Sequence, residues 1–587
     1  TLLAPVAARA GIATRLNARA HDLDGDVVRI EYFDGADKIG ESVSRPWTVV
    51  WTPPAPGVRV LTARAIDNDG LAGESAAIRA IVVPRAGRDY YIARDGDDAA
   101  DALTPATAWR TLEKVNATRF RAGDRILLEG GSVFPGTLEI GGDDEGTSEQ
   151  PVEITSFGAG RAVIDGGAGT AVLVRNTSHV HVTGLSARGL GRKTGNRQGD
   201  GFLVRAASFV RLRHVDASGF QSAGVRIAFS SDIEVSFADA VSNGAAGIYS
   251  MGLSNEVRNR RIVVRDSRAI DNAGDPTITD NHSGSGIVFY RTSESTIEWS
   301  EAARNGWDQP PGPVNGPVGI WAADADRITI QYCISHDNDS TSGDGGGFDL
   351  DGGTSDSVIQ YSYSYRNKSY GYLLWEYGAE GIRRNTLRYN VSDEDRGEGF
   401  VMGSSGSGTL SEVQIYHNTV YNTRFAAVRA ERGVTGAWLR NNAFIGPGGS
   451  PLVGADPALR FEGNAYWHVD GSRGVRGFPT LAAWAAATGQ ERIGSVLVGV
   501  EGDPRFVALG ESARPADPSQ LPKLLAFRLR GDSPLIDRAI DLQAFGIDAG
   551  SRDLSGNPVG VGAGRDIGAM EHQGDVSLAG ARETRPD

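Results

Sequence analysis

GFLVR at residues 201–205, GVRIA at 224–228, GIYSM at 247–251, GIVFY at 286–290, GIWAA at 319–323, GFDLD at 347–351, GYLLW at 371–375 and GFVMG at 399–403 are one phrase written eight times. Each opens on glycine and continues with four residues that are mostly apolar. The starts fall 23 to 39 residues apart, as from Gly201 to Gly224 and from Gly247 to Gly286. Self-similarity at this spacing marks a solenoid, whose units bury an apolar face only by stacking on their neighbours. The phrase at Gly347 breaks the pattern. It places two carboxylates, Asp349 and Asp351, where the others carry mainly aliphatic or aromatic residues.

Side chains on a strand alternate between its two faces. With glycine as position one, positions two and four (Phe202 and Val204 through Phe400 and Met402) form the packed interior. Positions three and five then face outward. Stacked about 4.8 Å apart, they make a strip with Arg205 and Arg226 at one end and Tyr249, Tyr290 and Trp321 in the middle. Asp349 and Asp351 come next, flanked by Trp375. Aromatic rings on an exposed groove stack against the apolar faces of sugars, and polar neighbours bind hydroxyls. Long insertions at 252–285 and 292–318 fall between the aromatic coils. They carry Asn281-His282 and Trp307-Asp308, and loops on one edge of a rigid scaffold build clefts.

The acids point to chemistry. Asp349 and Asp351 share one face of one strand, Asp344 lies upstream in the flexible run GDGGG, and Glu376 follows Trp375. Crowded carboxylates raise each other's pKa, so that one stays protonated. Glycoside hydrolysis needs such a pair, one as acid and one as base or nucleophile. Asp349 and Asp351 are the expected catalytic pair, with Asp344 or Glu376 assisting. Tyr249, Tyr290, Arg291, Trp321, Trp375, His282, Lys368 and Arg226 are the expected substrate-binding residues. Lys368, in register with Asp344 on the next coil, also suits β-elimination from a uronate polymer, with Ca²⁺ on the acids. A third reading is a glycan-binding protein without catalysis. The sequence demands no cofactor, and Ca²⁺ is the one ion its acidic clusters would take, whether here or at Asp22, Asp24, Asp26, Asp67 and Asp69. Those last five read better as turn formers.

Around this body the chain divides into further parts. Residues 1–85 carry short alternating runs (VVRIEYF, WTVVWT, RVLTARAID) separated by Asp-Gly turns, the pattern of a β-sandwich. Residues 88–150 read as an entry cap with a short helix around TLEKVN, and 151–450 as the stacked body. Second strands such as SDIEVSFADA and DRITIQYCIS recur there, followed by Asn243, Asn272, Asn305, Asn338 and Asn367, which would stack as an amide ladder. Residues 451–587 read as a C-terminal capping segment, with a helix in FPTLAAWAAATGQE and a disordered or draped end.

Composition agrees. Glycine is 78 of 587 residues, which suits a turn-rich β protein. The net charge of −14 argues against nucleic acid or anionic membrane as partner, and no run of about 18 apolar residues would span a bilayer. The chain opens on Thr1 without a leader, as a trimmed form would. Cys333 lies in a strand pattern and reads as a small buried residue.

The rungs, asparagine turns and end caps resemble the pectate-lyase-like superfamily of right-handed parallel β-helices. The run from His21 to Ser75 resembles bacterial Ig-like modules appended to secreted carbohydrate-active enzymes. The expected fold is therefore all-β, a right-handed parallel β-helix solenoid with an N-terminal Ig-like β-sandwich. The resemblance implies a secreted or periplasmic protein with a polysaccharide substrate, most simply an endo-acting, inverting glycoside hydrolase. DGGGFDLDGG is similar to the Asp trio of polygalacturonase-type hydrolases, whose Gly-His-Gly and Arg-Ile-Lys signatures are absent here, as is the Asp-His strand motif of pectate lyases.

Overall fold

The computed structural model describes residues 1–5, 7–310, 315–448, 458–511 and 514–574. The end of the chain read as disordered or draped lies, from 575 on, outside the described residues. Up to Val83 the chain forms two small sheets. One joins Leu2–Leu3, Thr14–Ala18 and Thr48–Trp51; the other is built on Val27–Asp34, Gly57–Asp67 and Ile78–Val83. Their alternating residues meet in a core of Leu16, Tyr32, Trp47, Trp51 and Leu61. Asp67 serves the turn expected of it, accepting from the backbone N–H of Asp69 at 2.9 Å and of Leu71 at 2.8 Å.

From Asp89 the chain winds into a parallel β-helix. Two sheets of 14 strands run from Asp89–Ile92 to Leu459–Glu462 and from Val133–Pro135 to Val500–Glu501. A third, of 11 strands, runs from Leu138–Gly141 to Val428–Ala430 and holds all eight glycine phrases. Its register pairs like positions directly: Arg226 with Tyr249, Tyr249 with Val288, Val288 with Trp321, Trp321 with Asp349 and Asp349 with Leu373. The even positions fill the interior, where Phe348, Tyr372 and Phe400 stack at 5.1 and 5.2 Å. Cys333 is buried in the same core.

Two kinds of stacking hold the corners. Asn243, Asn272, Asn305, Asn338 and Asn367 pass Nδ2–H···Oδ1 bonds of 2.8 to 3.1 Å from each to the next, all buried. The corner after the first sheet uses a non-glycine residue with φ near +50° on successive coils, including Trp299, Tyr332, Tyr361, Tyr389 and His417. That conformation costs about 1–2 kcal/mol per residue. Ring stacking at 4.4 to 5.6 Å along the column offsets it.

Both expected helices form. Leu112–Asn116 is capped by the Thr111 side chain, which accepts from Lys114 N–H. Leu481–Thr488 closes the far end of the helix by setting Trp484 on Phe461 and Tyr466. Leu459–Glu462 and Ala465–His468 extend the two longer sheets, and the chain beyond Val500–Glu501 packs over a face of the helix. It runs back along the second sheet and buries Leu521, Phe527, Leu529, Leu554 and Met570 against Tyr363, Tyr365, Tyr389, Tyr421 and Ile445. The reason is chemical: that sheet turns tyrosines and aliphatics outward, and they need cover.

Candidate active site

The outer face of the third sheet floors a cleft of about 1300 Å³. Ala246, Val288, Trp321, Tyr370, Leu373 and Val401 pack side by side as its apolar base, with Tyr249, Tyr290 and Trp375 against them. The indole N–H of Trp321 donates to Ser285 Oγ at 3.2 Å, and that of Trp375 to Ser405 Oγ at 3.1 Å. Each ring is thereby held at its polar edge. Gly403, paired directly with Trp375, makes the indole's position possible: a Cβ there would lie 2.8 Å from Trp375 Cζ3.

The four expected acids part company. Asp344 and Asp351 line the cleft and are half-buried. Asp349 faces the same way from the strand but is only 2% exposed and does not line the cleft, and its Oδ1 has no hydrogen-bond partner. The reason is its position in the rung, directly between Trp321 and Leu373. Glu376 is fully buried, and its oxygens accept from the backbone N–H groups of Gly353 (3.1 Å) and Gly378 (2.6 Å). It holds two turns rather than facing a substrate, because it falls at an inward position of its strand. Of the four, Asp344 and Asp351 reach the cleft surface, and Asp349 and Glu376 do not.

Electrostatics follow from the burial. Asp344 is pushed up to about 6 by burial, against the pull of a hydrogen bond from Tyr370 Oη at 3.0 Å and of the nearby Lys368 charge. Burial likewise holds Asp349 and Asp351 well above the usual carboxylate range. Asp349 is further raised by the charges of Asp351 and Asp344, and Asp351 by those of Asp344, Glu376 and Asp324. Burial drives the Tyr370 phenol far above its ordinary value, so it stays a donor. This is a cluster able to keep a proton on one acid near neutral pH.

His282 lines the cleft with its ring 5.6 Å from that of Trp321. Burial lowers it to about 4, so it is neutral, and its Nδ1 has no partner. Arg226 also lines the cleft, 3.9 Å from Asp200. Arg291 lies over the Tyr290 ring at 4.7 Å and donates to the Leu253 carbonyl at 2.9 Å. Lys368 does not line the cleft. Its ammonium donates to the Ser340 carbonyl and, at 3.0 Å, to that of Ser342, so it braces the loop that carries Asp344.

Two tyrosines of the site were missed. Tyr377 lines the cleft beside Asp351 and is the next outward position after Leu373 and Trp375, so alternation alone could have named it. Tyr370 precedes its phrase, where alternation gives no signal. Its ring fills the space above Gly346, at which a Cβ would lie 2.0 Å from Tyr370 Cε2. The glycine run that suggested close approach to a ligand instead admits this ring. Among the described residues, no group of three or more His, Cys, Asp or Glu side chains is arranged to hold a metal ion.

The family described as a right-handed β-helix region matches residues 275–444, the coils that carry these acids. A lacto-N-biosidase from Bifidobacterium longum subsp. longum is 24% identical over 475 residues, which cover 61% of this chain and 29% of that protein. The chain therefore spans less than a third of that relative. The solved GH136 lacto-N-biosidase from Eubacterium ramulus (TM-score 0.48, 20% identity) covers 65% of this chain and 67% of its own. A pectate lyase, Pel9A (TM-score 0.46, 16% identity), covers 83% and 98%. The fold class is that of a right-handed parallel β-helix.

Proposed function

We propose that this chain is a glycoside hydrolase that cleaves a glycan bound along the outer face of its third sheet. The observation that carries the reading is the pair of half-buried acids, Asp344 and Asp351, opening together onto an aromatic-walled cleft. Asp344, protonated up to about pH 6, donates to the departing glycosidic oxygen. When Asp344 holds the proton its charge no longer raises Asp351, and Asp351 in its ionised form acts at the anomeric carbon, as base for a water or as nucleophile. Asp349, buried beneath them, is held toward its neutral form by burial and by the charges of Asp351 and Asp344, which leaves the charge at the cleft to the two surface acids. Trp321, Trp375, Tyr249 and Tyr290 offer ring faces to sugars, and neutral His282 offers its free Nδ1 to a hydroxyl.

The relation to a lacto-N-biosidase adds a glycosidase to the readings the site supports and names one substrate to try. β-Elimination has less support, since Lys368 is committed to loop carbonyls. The same proposal carries an Ig-like accessory module in residues 1–85 and a secreted or periplasmic setting, which cell fractionation checks. The test of activity is reducing-end release from a glycan panel that includes lacto-N-biose-capped oligosaccharides. Turnover is expected for at least one member, with loss of at least a hundredfold in Asp344→Asn and Asp351→Asn. Full activity in both variants, or a product with a new near-ultraviolet absorbance, refutes the hydrolase.

A further inference from the structure

The N-terminal unit meets the first sheet of the helix across a cavity of about 260 Å³. Arg9 and Arg15 line it from one side; Arg125, His181, Arg213 and His214 line it from the other. The chain as a whole carries a net charge of −14, so this enclosed collection of bases runs against its composition. Two acids, Glu149 and Glu153, line it against five arginines, Arg9, Arg15, Arg125, Arg211 and Arg213. Glu153 serves both Arg9 and, at 3.2 Å, Arg125. Among the described residues neither Arg15 nor Arg213 is in an ion pair. The Arg213 guanidinium has the Phe237 ring 5.9 Å away, and Arg15 has its terminal nitrogen near the backbone of Gly184.

Five buried polar atoms of residues lining this cavity have no hydrogen-bond partner; Arg9 Nη2 and Arg125 Nε face Glu153 as ion pairs, which leaves Arg9 Nη1, Arg213 Nε and His214 Nε2. Arg9 is 5% exposed and His214 7%, so bulk water does not serve them. An unmet buried donor costs about 1–3 kcal/mol, more when charged. Burial, and after it the charges of neighbouring arginines, holds His181 and His214 down to about 3. The His214 ring is fixed by stacking on Phe237 at 4.7 Å, so its free nitrogen is presented at a defined position. What would satisfy this set is negative charge spread over several acceptor oxygens.

We propose that the cavity is an oxyanion site, taking a free sulfate or phosphate ion that joins the N-terminal unit to the β-helix through Arg9, Arg15, Arg213 and His214. The ion supplies acceptors to both sides at once. It would therefore bind the docked arrangement and not the separated one, and raise stability by linkage.

Thermal melts of the full chain in sodium sulfate and in sodium phosphate, each balanced with chloride to constant ionic strength, test this. The expected result is a saturable rise in Tm at millimolar anion, which Arg15→Gln and His214→Ala each reduce by at least half. The arm that saturates at lower concentration identifies the preferred ion. Sulfate also stabilises proteins by general exclusion from their surface. A rise that is linear, unsaturated and equal in wild type and both variants overturns the proposal. Crystals soaked in selenate read the site directly, whatever the variants' stability. An anomalous peak within hydrogen-bonding distance of Arg9 and Arg213 supports it, and no peak there overturns it.

Discussion

Replacing Tyr370 with Phe removes one oxygen and leaves its ring over Gly346, so it isolates a single hydrogen bond to Asp344. That bond favours the ionised carboxylate, while burial opposes it and leaves Asp344 at about 6. A hydrogen bond to a charged group is worth about 1.5–3 kcal/mol. At 1.36 kcal/mol per pKa unit, its loss raises Asp344 by about one to two units. If Asp344 is the general acid, kcat/KM falls as pH rises through its pKa. The alkaline limb is therefore expected to move from about 6 in the parent to about 7–8 in Tyr370→Phe. The assay is kcat/KM from pH 4 to 9 on whichever glycan of the panel is cleaved, with Tm recorded in each buffer. An alkaline limb that stays in place, or moves toward acid, while the variant remains folded refutes Asp344 as the proton donor.

Three other outcomes follow from structure already described. Trp375→Ala is expected to lower kcat/KM about tenfold, since loss of a stacking platform worth about 1–1.5 kcal/mol leaves the acids untouched; steady-state kinetics with an unchanged Tm check it. Asn338→Ala breaks the buried ladder, removing the bond to Asn367 (2.8 Å) and the acceptor for Asn305 (2.9 Å), at a cost of about 3–5 kcal/mol in chemical denaturation. Asp395 and Glu491 are raised by burial to about 6 and about 7, so their contribution is present when they are protonated and is lost as pH climbs through those values. Tm is thus expected to drop between about pH 4 and pH 7, and Glu491→Gln to flatten part of that slope.

Much of the body was legible because a strand has a period of two and a solenoid repeats it. Once Gly201 through Gly399 were aligned, the pairing of Arg226, Tyr249, Trp321 and Asp349 followed without further information. Depth within the outer layer was not legible. Asp349 and Asp351 occupy equivalent faces, and only the neighbours on adjacent coils and the Tyr370 ring decide that one is sealed and the other open. Glu376 misled because proximity in sequence to Trp375 says nothing of facing; its parity already placed it inward. The return of the C-terminal segment along the tyrosine-rich second sheet is a long-range packing event with no local signature. Nor do single residues announce the left-handed corners, since Trp299, Tyr332 and Tyr389 adopt them only because a like ring lies above and below.

The asparagine column has a direction. Every amide gives its proton toward the C-terminus and receives one from behind, until Asn367 gives to Asp395, whose carboxylate has no N–H to hand on. A second column beginning at Asn390 ends the same way, through Asn418, Asn442 and Asn464, on Glu491. An acid is thus a full stop in this grammar. Past Asp395 the helix winds on, and Asn422 donates to the Asp395 backbone carbonyl at 2.8 Å in place of a side-chain relay, so coils inserted or deleted upstream keep the relay intact while those downstream are held by other bonds. The molecule's length is consequently adjustable from within, in units of one turn, wherever amide still meets amide.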